Sequence, residues 1–189
     1  MAGDLKAGDV MTPDPTCVPL DMKIEELITL FRVSHFSGVP VIDDAGKPQG
    51  VISETDILRA LTYTLLPHGS SEMRIPKPGS PQPRKRATAR LLERGMAPDA
   101  PAVGRMVNGL LERTVQELMS PVTISCKVGD DLDQVCETIA WKGVHRVVVV
   151  DDDGKVVGLI TTGDVAQGFA QFLRGEPPKQ GGVRAGPTG

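Results

Sequence analysis

Residues 50–57 read GVISETDI and residues 158–165 read GLITTGDV, and this echo constrains the whole chain. A fixed offset of 108 residues aligns 10–58 with 118–166 without a gap, and eleven of the forty-nine pairs are identical. Met11 and Pro13 fall on Met119 and Pro121, and Val39 and Val41 on Val147 and Val149. Asp43, Asp44, Gly46 and Lys47 fall on Asp151, Asp152, Gly154 and Lys155; Gly50, Ile52 and Asp56 fall on Gly158, Ile160 and Asp164. Repetition at this period means two copies of one supersecondary unit, each with apolar faces that one copy alone cannot bury.

Each copy reads as strand, helix, strand, strand, helix. After MTP or MSP comes a short extended piece at 16–19 or 122–126. Ile24, Leu27, Ile28 and Phe31, and in the second copy Leu132, Val135, Cys136 and Ile139, then recur at helical spacing and make an apolar stripe. GVPVID and RVVVVD are β-branched runs, DAGK and DDGK supply the backbone freedom of a tight hairpin turn, and QGVIS and VGLIT return as second strands. A closing helix is expected from Glu54 and from Thr162. With aromatic residues at only 3%, Val, Ile and Leu must carry the burial.

The joint pattern resembles the CBS domain, the module named after cystathionine β-synthase and usually found as a tandem pair. The residues that carry the likeness are the MTP and MSP leaders, GVPVIDDAGKPQGVISETDIL and HRVVVVDDDGKVVGLITTGDV. The resemblance implies an α/β (α+β) fold of two βαββα repeats, at 5–65 and 114–173, packed as a Bateman-type module around a pseudo-twofold axis with two clefts. It also implies an adenosyl ligand in one or both clefts: AMP, ADP, ATP or S-adenosylmethionine. By position, ribose falls to Ser53 with Asp56 and to Thr161 with Asp164. The ligand's surroundings fall to Thr16, Val18, Gly38, Val39 and Pro40 in the first copy and to Ile124, His145, Arg146 and Val147 in the second. The second copy has Val148 where the first has Pro40, a departure from the family's strand pattern.

Physical chemistry supports those positions and also offers a plainer use for them. An aspartate in the first turn of a helix sits where the helix dipole favours negative charge, and its carboxylate can accept from both hydroxyls of a ribose. The same Ser/Thr-x-x-Asp spacing is a capping box that starts ordinary helices. The two uses can coexist. His145 and Arg146 stand where the first copy has only Ser37 and Gly38, and a guanidinium can meet phosphate oxygens in a fork. The second cleft is therefore expected to be the better phosphate site.

Other constellations lead away from chemistry. DDDGK at 151–155 looks like part of a calcium loop, but Ile160 occupies the place of the bidentate glutamate, so a hairpin turn is expected. His35, His68 and His145 have no metal-ligand spacing, and neither a Ser/His/Asp order nor an activated cysteine can be assembled, so an enzyme is not expected. Trp141 and Phe36 are read as packing against the sheets. Three cysteines, Cys17, Cys126 and Cys136, without CxxC spacing and without an apolar leader, suit reduced thiols in the cytoplasm. No run approaches eighteen apolar residues, so no membrane span is expected.

The segment at 66–113 separates the copies. Residues 67–83 are rich in Pro, Gly and Ser, RKRATARLLERG suits a short basic helix ended by Gly95, and Asp99 can cap a helix carrying Val103, Met106, Val107, Leu110 and Leu111 on one face. Thr114 to Glu117 is a further capping signal. Seven basic residues and one acidic residue lie between Arg74 and Arg94, whereas the chain as a whole carries a net charge of −3. The overall charge argues against a nucleic-acid partner, while the basic segment keeps a nucleic-acid-associated role as an alternative. The tail at 174–189 reads as disordered.

The reading that follows is a stand-alone regulatory module with no obligatory cofactor, an adenosyl regulatory ligand, a homodimeric state and a regulated protein partner elsewhere. A structural assembly module with empty clefts is the other alternative.

Overall fold

Asp43 and Asp151 turn the chain at the same point in each copy. The Asp43 N–H donates to the Lys47 carbonyl at 3.0 Å and the Asp151 N–H to the Lys155 carbonyl at 3.0 Å. Gly46 and Gly154 take φ of 78° and 79°, a left-handed conformation that a side chain would strain, which is why both turns carry glycine there. The computed structural model describes residues 5–65, 100–121 and 124–177. In the first copy it contains α1 (Ala7–Val10), β1 (Thr12–Pro13), β2 (Val18–Pro19), α2 (Ile24–Ser34), β3 (Gly38–Ile42), β4 (Pro48–Ser53) and α3 (Glu54–Leu65). Then come α4 (Ala100–Leu111), α5 (Val115–Leu118), β5 (Ser120–Pro121), β6 (Ser125–Lys127), α6 (Leu132–Lys142), β7 (Arg146–Val150), β8 (Val156–Thr161) and α7 (Thr162–Leu173). The mixed α+β class and the two repeats read from the sequence are what the chain adopts. Of the first extended piece, read at 16–19, two residues form β2; of the second, read at 122–126, Ser125 and Cys126 lie in β6, which runs on to Lys127, and residues 122 and 123 lie outside the described residues.

The strands form two four-stranded sheets, ordered β1-β8-β7-β6 and β2-β3-β4-β5. Each sheet therefore holds the short leading strand of the other copy. Thr12 and Pro13 pair antiparallel with Leu159 and Gly158, and the second copy's leader, β5, lies at the edge beside β4. The exchange extends to the backbone before each α-helical stripe. Leu132 N–H donates to the Leu5 carbonyl, and at the same offset Ile24 N–H donates to that of Arg113. Ala7 N–H with the Asp130 carbonyl repeats as Val115 N–H with that of Met22. These bonds satisfy helix-start donors that an isolated copy would leave to water.

Two compact units result. One draws on Met1–Pro19, Val39–Gly50 and Val122–Gly189, the other on Leu20–Gly38 and Val51–Pro121. In the first, Ala7, Val10, Val147, Val149 and Ile160 make a core, and Met11 and Leu132 close it. Packing there is close, since a Cβ on Gly158 would press on the Met11 side chain, which would have to shift, and would lie 3.2 Å from Val149 Cβ. In the second unit Ile24, Leu27, Ile52, Ala60, Leu110 and Val115 are buried, and α4 packs on α2 and α3. The helix expected after Asp99 is thus part of the folded core. The basic stretch ending at Gly95 and most of the expected tail lie outside the described residues.

Candidate functional site

Both Ser/Thr-x-x-Asp motifs fold as helix starts. Thr161 is the N-cap of α7: its N–H and its hydroxyl each donate to Asp164 Oδ2 at 2.7 Å, and the Asp164 N–H returns to Thr161 Oγ1 at 3.3 Å. In the first copy Ser53 N–H and Oγ donate to Asp56 Oδ2 at 2.9 and 2.6 Å. Each aspartate thereby commits one carboxylate oxygen to starting its helix, and the capping use is real in both copies. What remains for other chemistry is Oδ1.

The two Oδ1 atoms differ. Asp56 is only 8% exposed, and its Oδ1 accepts from Arg59 Nη1 at 3.1 Å and from Ser120 Oγ at 3.4 Å. Asp164 is half-buried, and no hydrogen bond reaches its Oδ1 from the described residues. Gln167, at the place of Arg59, is exposed.

The β7–β8 ladder brings the second copy's candidates together. Arg146 stands opposite Thr161 in the antiparallel register, and Val147 opposite Ile160. The His145 carbonyl accepts from Thr162 N–H at 3.2 Å, so His145, Arg146, Thr161 and Asp164 share one end of the sheet. Ser37 holds the same place in the first copy, accepting from Glu54 N–H at 3.2 Å, with Gly38 next to it. Other candidates are spread along the strands. Val18, Val39, Pro40 and Val147 are buried, Val18 opposite Val41; Ile124 is half-buried against the core; Thr16 is exposed before β2. The buried valines can offer a ligand backbone atoms but little side chain.

The remaining constellations are structural. Asp151 Oδ1 accepts from Lys155 N–H at 2.8 Å, closing the DDDGK segment as the expected hairpin turn. Among the described residues no group of three His, Cys, Asp or Glu side chains is arranged to hold a metal ion. The three thiols are unpaired with one another. Burial raises the pKa of Cys17, Cys126 and Cys136, that of Cys126 to about 11 with Asp130 adding to it, so none is an activated nucleophile. One expectation fails: Trp141 does not pack on a sheet but is 86% exposed near the end of α6.

Compared with known families, the CBS domain matches residues 7–63 and 115–170, more than half of the chain. The chain belongs to the CBS-domain family. Among its relatives is the uncharacterized protein MJ1426 of Methanocaldococcus jannaschii, 27% identical over 154 residues that cover 81% of this chain and 84% of that protein. Among solved structures, the CBS-pair protein CBSX2 of Arabidopsis thaliana in complex with AMP is similar at a TM-score of 0.60 and 22% identity, covering 89% of this chain and 98% of that one. The CBS domain pair of protein MJ0100, in complex with 5′-methylthioadenosine and S-adenosyl-L-methionine, has a TM-score of 0.55 and 18% identity over 87% of this chain and 99% of its own. At these identities the likeness establishes the fold.

Within this CBS pair, sequence reasoning missed Arg59 and Ser120. Arg59 is three residues past Asp56 on one helix, a spacing at which side chains meet, so that contact was open to inference. Ser120 is 64 residues from Asp56 and reaches it only because the leading strands are exchanged.

Proposed function

We propose that this CBS pair is a non-catalytic regulatory module that binds an adenosyl nucleotide, of the AMP, ADP, ATP or S-adenosylmethionine class. In this reading the repeats at 5–65 and 114–173 pack by their sheets around a pseudo-twofold axis. Ribose hydroxyls are held by Asp164 beside Thr161, and by Asp56 beside Ser53 in the first copy. Arg146 and His145 face phosphate. Thr16, Val18, Gly38, Val39 and Pro40, and in the second copy Ile124 and Val147, border the base. The observation that carries the reading is the end of the β7–β8 ladder, where Arg146 lies across from Thr161 while no described residue donates to Asp164 Oδ1. The adenosyl ligands bound by the structural neighbours CBSX2 and MJ0100 support it.

The signal leaves the module through its assembly. A homodimer in the cytoplasm, joined through helices and acting on a separate partner, fits the apolar side chains that α6 and α7 present to solvent, Trp141, Phe169 and Leu173. Ligand shifts such an assembly only by its difference in affinity for the two arrangements.

A thermal-shift screen of AMP, ADP, ATP and S-adenosylmethionine tests the reading. A ligand at 100 times its dissociation constant adds about 2.7 kcal/mol to the folded state, so at least one should raise the melting temperature by several degrees. No shift with any of the four would overturn it.

A further inference from the structure

The two copies repeat the same helix start but not the same third residue beyond the aspartate. We infer that Arg59 closes the first-copy site, so that nucleotide fills the Thr161–Asp164 site first and reaches Ser53–Asp56 only when Arg59 lets go. This rests on the reading above that both aspartates take ribose.

Asp56 has both carboxylate oxygens in use: Oδ2 serves the Ser53 cap and Oδ1 accepts from Arg59 and Ser120. The Arg59 pair is charge-assisted and three-quarters shielded from water, with side-chain exposures of 25% for Arg59 and 8% for Asp56. A ribose hydroxyl bringing a neutral donor to Oδ1 must displace a guanidinium, the stronger partner for a carboxylate. In the second copy the same cap holds Asp164 Oδ2, but Gln167 replaces Arg59, carries no charge and makes no hydrogen bond to Asp164. There a ribose meets a carboxylate oxygen to which no described residue donates. Arg59 acts through Asp56, as a positioning residue that sets which copy is occupied. The asymmetry converts a duplicated module into one with a high-affinity and a held-back site, which a rising nucleotide concentration would fill in order.

Titration calorimetry with AMP, and in parallel with S-adenosylmethionine, tests the assignment in the full chain. The wild type should bind one ligand per chain in its tight phase. Arg59→Gln, which copies the second repeat, should add a second site whose affinity rises about ten- to hundredfold, and Asp56→Ala on that background should remove it again. Gln167→Arg should weaken the tight site by a similar factor, and it keeps the test open should Arg59→Gln fold poorly. Two equal sites in the wild type, unchanged stoichiometry in Arg59→Gln, or unchanged tight binding in Gln167→Arg would overturn the role of Arg59 while leaving nucleotide binding in place. No binding of either ligand by any of these proteins would overturn both.

Discussion

Arg146 stands directly across the β7–β8 ladder from Thr161, the residue that caps α7. A guanidinium stem and a helix start with its positive dipole end are thus placed on one rung, where phosphate oxygens are favoured by both. Arg146→Ala should therefore weaken ATP binding about tenfold or more while adenosine binding changes little. Affinities for the two ligands measured side by side check this. Equal losses for both would mean that Arg146 supports the shape of the site and does not meet phosphate.

His35 and Gly143 close equivalent helices, α2 and α6, in the left-handed conformation, with φ of 54° and 62°. A side chain there costs about 1–2 kcal/mol, partly offset by the greater chain entropy glycine loses on folding. His35→Gly should raise stability by up to about 1 kcal/mol, and Gly143→His should lower it by a similar amount. Urea denaturation of both variants checks the sign, and a less stable His35→Gly would contradict it.

Gly168 and Gly109 are both helical but differ in surroundings. A Cβ on Gly168 would stand 2.9 Å from Val10 Cγ1, whereas a Cβ on Gly109 would meet nothing within 4 Å. Gly168→Ala should cost about 1–3 kcal/mol through overpacking, and Val10→Ala on that background should recover part of it. Gly109→Ala should gain about 0.4–1 kcal/mol. Thermal melts that moved both single variants in the same direction would contradict the packing of α1 on α7.

Cys126 gives a pH dependence of known sign. Burial pushes the pKa of its thiol up to about 11 from the ordinary 9.0, so the folded state binds the proton more tightly than the unfolded one. The stabilisation is complete below pH 9 and is lost as pH rises toward 11. Denaturation between pH 8 and 11 should show a falling stability that flattens in Cys126→Ala. An unchanged slope in that variant would assign the loss to other groups.

Much of this was legible in the chain because the repeat doubles every local signal. The Asp-x-Gly-Lys turns, the stripe of Ile24, Leu27 and Phe31, and the helix starts at Glu54 and Thr162 each appear twice in register, and local chemistry fixed them. The helix after Asp99 was readable from the spacing of Val103, Val107 and Leu110 alone. What escaped was non-local or unconventional. The helix α1 starts at Lys6, which is a poor capping residue; its N–H donates to Asp9 and its ammonium pairs with Asp131, 125 residues away. The contact of Ser120 with Asp56 depends on the exchange of leading strands, which no periodicity reveals. Trp141 misled because a large aromatic in an amphipathic helix is usually covered, and in the single chain it is not.

Titration calorimetry of AMP into the wild type and into Asp164→Ala is the most direct test of the account. The variant loses a helix-start interaction worth about 0.5–2 kcal/mol but should remain folded by circular dichroism. Its tight-phase affinity for AMP should fall about ten- to hundredfold, because the carboxylate's charge-assisted bonds to ribose are gone. If folded Asp164→Ala binds AMP as tightly as the wild type, the aspartate is only a helix cap and the proposed nucleotide site is wrong.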